Sequence, residues 1–323
     1  MKLWSLFSLL VMALAAMQPS AASDPVQAEE LGLEPQGLHL SAPDRPSAAA
    51  RSEMPSGTVV IVPDSIANRL VALSPVDGSL IDDNLFELAG GTPVHAVQVG
   101  QEIWISEQIG DRISRWSLQG EALGAVGADG GLDNIRGMAL LEDQLLVTNA
   151  GTNNGAPGAA IVRVSLDGNI IGHVGTSATS SSPFEIQVRD SDLLVASSSA
   201  GDDIHRYDFA IASLGTFHDT TSLNFAQQMA IADNGDILAA GFSSNNIVRL
   251  NPNNGELISQ FPASGARGVL QLSNGNILWS NSSGVHVYDV SAQTSSLVYS
   301  GGARHFSIAL LPLDEIFADR FEE

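Results

Sequence analysis

One phrase returns along this chain at a nearly constant interval, and it limits the fold more than any other feature. An apolar run, a polar turn and Ile-x-Arg recur at Ile113-Ser114-Arg115, Ile161-Val162-Arg163, Ile204-His205-Arg206 and Ile247-Val248-Arg249, with the arginines 48, 43 and 43 residues apart. A self-similar period in the low forties, filled with short strand-type runs, marks a radially repeated all-β architecture with one small sheet per repeat. The pattern holds from Gly57 to Pro312, a length that accommodates six periods. Residues 57–312 therefore read as one domain of six repeats.

The fifth repeat shows the internal layout most plainly. Met229-Ala230-Ile231-Ala232, Ile237-Leu238-Ala239-Ala240, Ile247-Val248-Arg249-Leu250 and Leu257 to Phe261 are four strand-type runs. The first two are separated by Asn234-Gly235 and the last two by Asn254-Gly255, dipeptides whose tolerance of positive φ makes them strong hairpin signals. Asp77-Gly78, Asp167-Gly168 and Asn274-Gly275 fill matching slots in other repeats. The first repeat offers only three strands, Thr58 to Val62, Leu70 to Leu73 and Leu80 to Leu88. Its innermost strand is assigned to Phe306–Leu311, at the far end, so that the last strand joins the first blade and closes the ring. The fold class that follows is all-β: a six-bladed β-propeller of four-stranded antiparallel blades.

The segment Met229 to Leu238, continued through Asn245-Asn246-Ile247-Val248-Arg249, resembles an NHL-type repeat, and the domain is similar to the wider group of six-bladed propellers that includes the SMP-30/gluconolactonase enzymes. The resemblance specifies a fold and leaves activity open, because such propellers host binding proteins and hydrolases alike. It implies either a ligand- or protein-binding module or a Ca²⁺-dependent hydrolase or lactonase. Enzymes of that group hold one divalent ion with acidic and Asn side chains at first-strand starts.

The ends of the chain carry their own signals. Lys2, the apolar run Leu3 to Ala16 and the small residues Ala21-Ala22-Ser23 read as a signal peptide over residues 1–22. This predicts export to the periplasm or the extracellular space. Residues 23–56, rich in Pro, Ala, Ser and Glu, read as a flexible linker. Residues 313–323 form an acidic-aromatic tail resembling an ending of many exported Gram-negative proteins, with Arg320 where that ending has glycine. The chain has no cysteine, which excludes disulfides, thiolate metal sites and a cysteine nucleophile. A net charge of −22, with Lys2 the only lysine, disfavours nucleic acid and anionic membranes as partners. No later segment is apolar enough for a membrane span, and a monomer is expected.

Function is sought where the blades differ. In a four-stranded blade, the start of strand one and the end of strand two share one face near the central channel. The second-strand ends are Asp64, Glu107, Asn149, Ser197, Gly241 and Asn281. The first-strand starts, to within one position of register, are His95, Arg136, Glu185, Gln227, Arg267 and His305. Eleven of these twelve residues are polar or charged, so the funnel is the candidate site for a small polar ligand or a protein. Glu185, Glu107, Asn149 and Asn281 are the oxygen donors a hard cation such as Ca²⁺ would take. Against that, Arg136 and Arg267 sit at the same mouth, and Arg–carboxylate pairs would satisfy the acids without metal. No other cofactor is expected.

Other motifs point elsewhere or nowhere. The chain lacks a Gly-x-Ser-x-Gly elbow, a His-Glu-x-x-His pair and a phosphate-binding glycine loop. A serine triad would need His95 or His305 beside a serine such as Ser197 or Ser307. The recurring Arg115, Arg163, Arg206 and Arg249 read as blade architecture, paired between blades or with acids such as Asp111 or Asp203. The insert Gly151 to Gly158 projects from the funnel face as a candidate partner contact.

Overall fold

The computed structural model describes residues 57–199 and 203–312. The signal peptide, linker and tail read from the sequence lie outside the described residues. Strands are numbered in chain order. Blade 1 joins β1 (Thr58–Asp64), β2 (Arg69–Leu73) and β3 (Leu80–Glu87) to an innermost β24 (Ser307–Leu310). Blade 2 is β4 (Pro93–Val99), β5 (Glu102–Glu107), β6 (Arg112–Ser117) and β7 (Ala122–Val126). Blade 3 is β8 (Ile135–Leu141), β9 (Gln144–Asn149), β10 (Ala160–Ser165) and β11 (Ile170–Gly175). Blade 4 is β12 (Pro183–Val188), β13 (Leu193–Ser197), β14 (Ile204–Tyr207) and β15 (Ser213–His218). Blade 5 is β16 (Ala226–Ile231), β17 (Ile237–Gly241), β18 (Asn246–Leu250) and β19 (Leu257–Pro262). Blade 6 is β20 (Val269–Gln271), β21 (Ile277–Asn281), β22 (Gly284–Asp289) and β23 (Thr294–Ser300). Every pairing is antiparallel, and the result is the six-bladed ring expected from the repeat.

Each pair of neighbouring blades encloses its own apolar core. Phe184, Leu194 and Ala196 of blade 4 meet Met229, Ile237 and Ala239 of blade 5. Ala139, Leu146 and Ile161 of blade 3 meet Ile186, Leu193 and Val195 of blade 4. Alternate residues of one strand therefore serve different cores: Val59 and Ile61 pack toward blade 2, Val60 and Val62 toward blade 6. Both faces of an inner strand are buried, so these strands read as continuous apolar runs. The fourth strands lie outside and are largely exposed, as in β7 and β19.

The recurring arginine marks a β-bulge. Arg115, Arg163 and Arg206 sit opposite Gly124, Gly172 and Gly215 of the fourth strand, and the register shifts directly after each arginine. Gly124 (φ 126°) and Gly215 (φ 100°) take positive φ with open space where a Cβ would be, so conformation rather than crowding selects glycine there. The arginines' partners correct the sequence expectation. Arg115 binds Glu102 with both ends of its fork (2.7 and 2.8 Å), Arg206 binds Asp192 (2.8 Å) and Arg249 binds Asp236 (3.1 Å). Asp111 and Asp203 precede strand three on the funnel side. Arg115, Arg206 and Arg249 instead reach acids that open strand two at the opposite end of the same blade, while Arg163 donates to Ala210 O of the next blade (3.2 Å), the expected contact between blades.

Ring closure depends on β24. It pairs with β1 in the register Val59↔Ala309 and Ile61↔Ser307, which joins the two ends of the domain in one sheet. A chain ending at Gly301 lacks this strand and exposes the inner edge of β1. Such a truncation is expected to lose the cooperative urea transition of the full chain; an unchanged transition would show that closure is dispensable.

Candidate funnel site

All six second strands end on the residues expected from the repeat, Asp64, Glu107, Asn149, Ser197, Gly241 and Asn281. Most of these side chains hold their own loops. Asp64 Oδ1 accepts the backbone N–H groups of Ile66, Ala67 and Gly302 (2.8–3.0 Å), and Oδ2 accepts the hydroxyl of Tyr299 at 2.6 Å. Asn149 accepts from Asp133 N–H (2.8 Å) and donates to the carbonyls of Gly151 and Gly158 (2.9 and 2.8 Å). Asn281 donates to Ser264 O (2.9 Å) and accepts from Ser283. Ser197 bonds Ser199 and Ser182 O.

Glu107 is buried and accepts Arg112 Nε at 2.7 Å, while its Oε1 has no partner among the described residues. A Cβ on Gly91 or Gly110 would lie 2.7 Å from its Oε2, so glycine at both positions makes room for this carboxylate.

The first-strand candidates fall on two levels. A bulge near the start of β4, β8, β12 and β16 adds one residue relative to the second strand. Pairing sets Ala96, Met138, Ile186, Met229 and Val269 at one height, opposite Ile105, Val147, Val195, Ala239 and Trp279. One position toward the mouth come His95, Gly137, Glu185, Gln228, Gly268 and, by the Asp64–Ala303 bridge, His305. One further out come Val94, Arg136, Phe184, Gln227, Arg267 and Arg304. Sequence reasoning missed Gln228 and Arg304, because a bulge is invisible to a count that assumes period two.

The inner level is a buried girdle that covers the channel-facing edges of the first strands. Glu185 Oε2 accepts Met229 N–H of the next blade. Gln228 Oε1 accepts the N–H groups of Val269 (2.9 Å) and Phe306 (3.1 Å), and its amide donates to Phe306 O at 2.7 Å. Hydroxyls of the second strands bind the bulge amides, Ser106 that of His95, Thr148 that of Gly137 and Ser280 that of Gly268. Thr148 and Ser280 also donate to the next blade's carbonyls, Phe184 O and Arg304 O. Edge groups that would otherwise be buried without partners are thereby satisfied.

His95 Nδ1 and Glu185 Oε1 are buried and have no hydrogen-bond partner among the described residues. His95 Nε2 lies 2.5 Å from Ser307 Oγ, a serine–histidine contact, but no acid among the described residues orients the other side of the imidazole. Burial holds His95 and His305 well below, and Glu185 well above, their ordinary ranges, which favours the uncharged form of each.

At the outer level, Arg136 is buried. It donates from Nη1 to Ser182 Oγ (2.6 Å) and Pro183 O (3.1 Å), and its guanidinium lies 4.4 Å from the centre of the Phe184 ring. No carboxylate pairs with it among the described residues. Arg267 stands 6.0 Å from the ring of Phe242, and Arg304 donates to Ser65 Oγ at 2.7 Å. Glu107 is thus neutralised by Arg112, not by the mouth arginines.

The insert Gly151–Gly158 includes a single 3-10 turn, Asn153–Gly155, bound to Asp133 and to Gly131 N–H. Beside it lies a groove of about 550 Å³ lined by Asp111, Arg112, Asp129 and Asn154. Burial, with the neighbouring Asp133, holds the Asp111 carboxyl above its ordinary range.

The donor set does not fit the divalent ion that the family resemblance implies. Asn149 and Asn281 are occupied in their loops and Glu107 is held by Arg112. Among the described residues no three His, Asp or Glu side chains gather closely enough to hold a metal ion. Likewise, no helix among the described residues is long and apolar enough to cross a membrane.

The raised Glu185 carboxyl has a definite stability signature. A carboxyl whose folded pKa exceeds its unfolded value costs stability as pH rises above the ordinary glutamate range. Glu185→Gln keeps an acceptor for Met229 N–H and removes the titration. The variant is expected to melt higher than the wild type at pH 8, with the gap closing toward pH 5. A gap independent of pH in thermal melts would refute a Glu185 carboxyl raised by burial.

No protein-family model matches the chain, and no curated protein matches it in sequence. Solved structures do resemble it. A chain of a nidogen/laminin complex superposes with a TM-score of 0.65 at 13% identity, covering 79% of this chain and 99% of that one. A protein of unknown function from Bacteroides caccae gives 0.57 at 15%, covering 78% and 99%. A streptogramin B lyase gives 0.54 at 15%, covering 78% and 87%. The chain thus shares its propeller fold with proteins of binding and of lyase type, and at these identities the likeness extends to fold alone.

Proposed function

We propose that this protein is an exported binding module that receives a small polar ligand, or a polar group of a protein, at the funnel face of its channel. The observation that carries this reading is that His95 Nδ1 and Glu185 Oε1 are buried and unpartnered among the described residues, in a girdle where Gln228, Ser106, Thr148 and Ser280 are spent on backbone groups. Buried polar atoms are normally hydrogen-bonded, and leaving one unpaired costs about 1–3 kcal/mol. A ligand entering the mouth supplies the missing partners. Catalysis by a Ser-His-acid triad lacks support, because His95 contacts Ser307 without an orienting acid.

Thermal melts across a library of small polar compounds test the reading. At least one compound should raise the wild-type melting temperature, with the rise reduced in Glu185→Gln. A stoichiometric divalent metal in the purified protein, lost on Glu185→Gln, would overturn it in favour of a metal-dependent hydrolase. Export has its own check: the mature protein from secreting cells should begin near Ala22 or Ser23, whereas an intact Met1 terminus would contradict it.

A further inference from the structure

We propose that the funnel mouth takes a small organic carboxylate that also bears a hydroxyl, with the carboxylate on Arg136 and the hydroxyl on His95 and Glu185 below. The inference rests on the funnel-binding reading and adds the class of ligand.

Charge supplies the first argument. The chain carries a net −22, yet Arg136 is about 1% exposed with no acid beside it among the described residues. Its hydrogen-bond partners, Asn134 Oδ1, Ser182 Oγ and Pro183 O, are all uncharged. No first-strand residue at its level is acidic: they are Val94, Phe184, Gln227, Arg267 and Arg304. A guanidinium removed from water without an anion is costly, and a buried charge is normally paired. Burial pulls Arg136 down to about 9, which leaves it protonated at neutral pH. Nε reaches only a distant acceptor at 3.4 Å, and Nη2 meets none among the described residues. A planar fork with this unused capacity is matched to a carboxylate.

The girdle supplies the second argument. Gly137 follows Arg136 and places no side chain between the blade 2 and blade 4 members, His95 and Glu185. Glu185 accepts Met229 N–H on Oε2, which leaves the buried Oε1 for a ligand, as acceptor or, in the protonated form that burial favours, as donor. His95 offers Nδ1, as acceptor or donor according to tautomer. A neutral acid and a neutral imidazole suit a hydroxyl, which both donates and accepts. A second charge would be desolvated there without a counter-ion. Arg136 stands one residue outward of the level that holds His95 and Glu185, so an anion on its guanidinium lies on the solvent side of them.

Calorimetric titration of the full chain with glycolate, lactate and glycerate, each against its uncharged amide, tests this. At least one acid should bind saturably while its amide binds at least about tenfold more weakly. Arg136→Gln should cost a similar factor, and Arg136→Lys less. Circular dichroism melts establish that each variant is folded, and the acid-against-amide comparison on the wild type needs no variant at all. Amides binding as well as acids, or a folded Arg136→Gln with unchanged affinity, would overturn the proposal. If none of the three acids binds while a neutral compound from the library does, this proposal fails and funnel binding stands. If nothing binds, both fail.

Discussion

The structure depends on a circuit of six apolar cores, each lying between two blades, that is completed only when Ser307–Leu310 pairs with Thr58–Asp64. Blade 1 feeds two cores at once, and its residues come from both ends of the domain: Val59, Ile61 and Ala309 on one side, Val60, Val62 and Phe306 on the other. Each fully buried aliphatic side chain contributes about 1.5–3 kcal/mol, so opening one junction affects many contacts together. Closure also fixes the channel. The first strands cannot separate, and the side chains at their starts are held at set heights around one axis.

That geometry creates a polar problem at the centre of an apolar fold. Each innermost strand turns one backbone edge toward the channel, where a blade has no further strand to pair. Glu185 and Gln228 cover edge amides of following blades, while Ser106, Thr148 and Ser280 cover the bulge amides. The girdle is thus built first as structure. Its chemistry is a by-product of burial, which favours the uncharged forms of the imidazoles and of the Glu185 carboxyl because charging them would desolvate a charge. Binding character comes from what this structural duty leaves unused.

Much of this was legible in the sequence, for definite reasons. The period, the Asn-Gly turns and the three-strand first repeat fixed blade number and closure, because hairpin chemistry is local and closure follows from counting strands. The second-strand ends were placed to the residue, since a turn follows each of them directly. First-strand heights were not, because a bulge near the start of β4, β8, β12 and β16 upsets a count with period two, and Arg136, Gln227 and Arg267 stand one level further out than His95, Glu185 and His305. A glycine nine positions after Arg115, Arg163 and Arg206, and an acid some thirteen before Arg115 and Arg249, were readable signals for the fourth-strand bulge and the true ion pairs. The isolation of Arg136 was not readable, since it depends on which acids other loops hold.

Arg136 is a buried guanidinium with no acid beside it among the described residues, set at the mouth of an acidic propeller above the buried His95 and Glu185. The carboxylates that end second strands at this mouth are engaged elsewhere: Glu107 by Arg112, Asp64 by Tyr299 and loop amides. The most direct measurement is a crystal structure of the full chain soaked with glycerate. The account predicts its carboxylate on the Arg136 guanidinium and its hydroxyl within hydrogen-bond reach of His95 Nδ1 or Glu185. Arg136 paired with a carboxylate of the chain itself, and no density for the acid in the funnel, would contradict it.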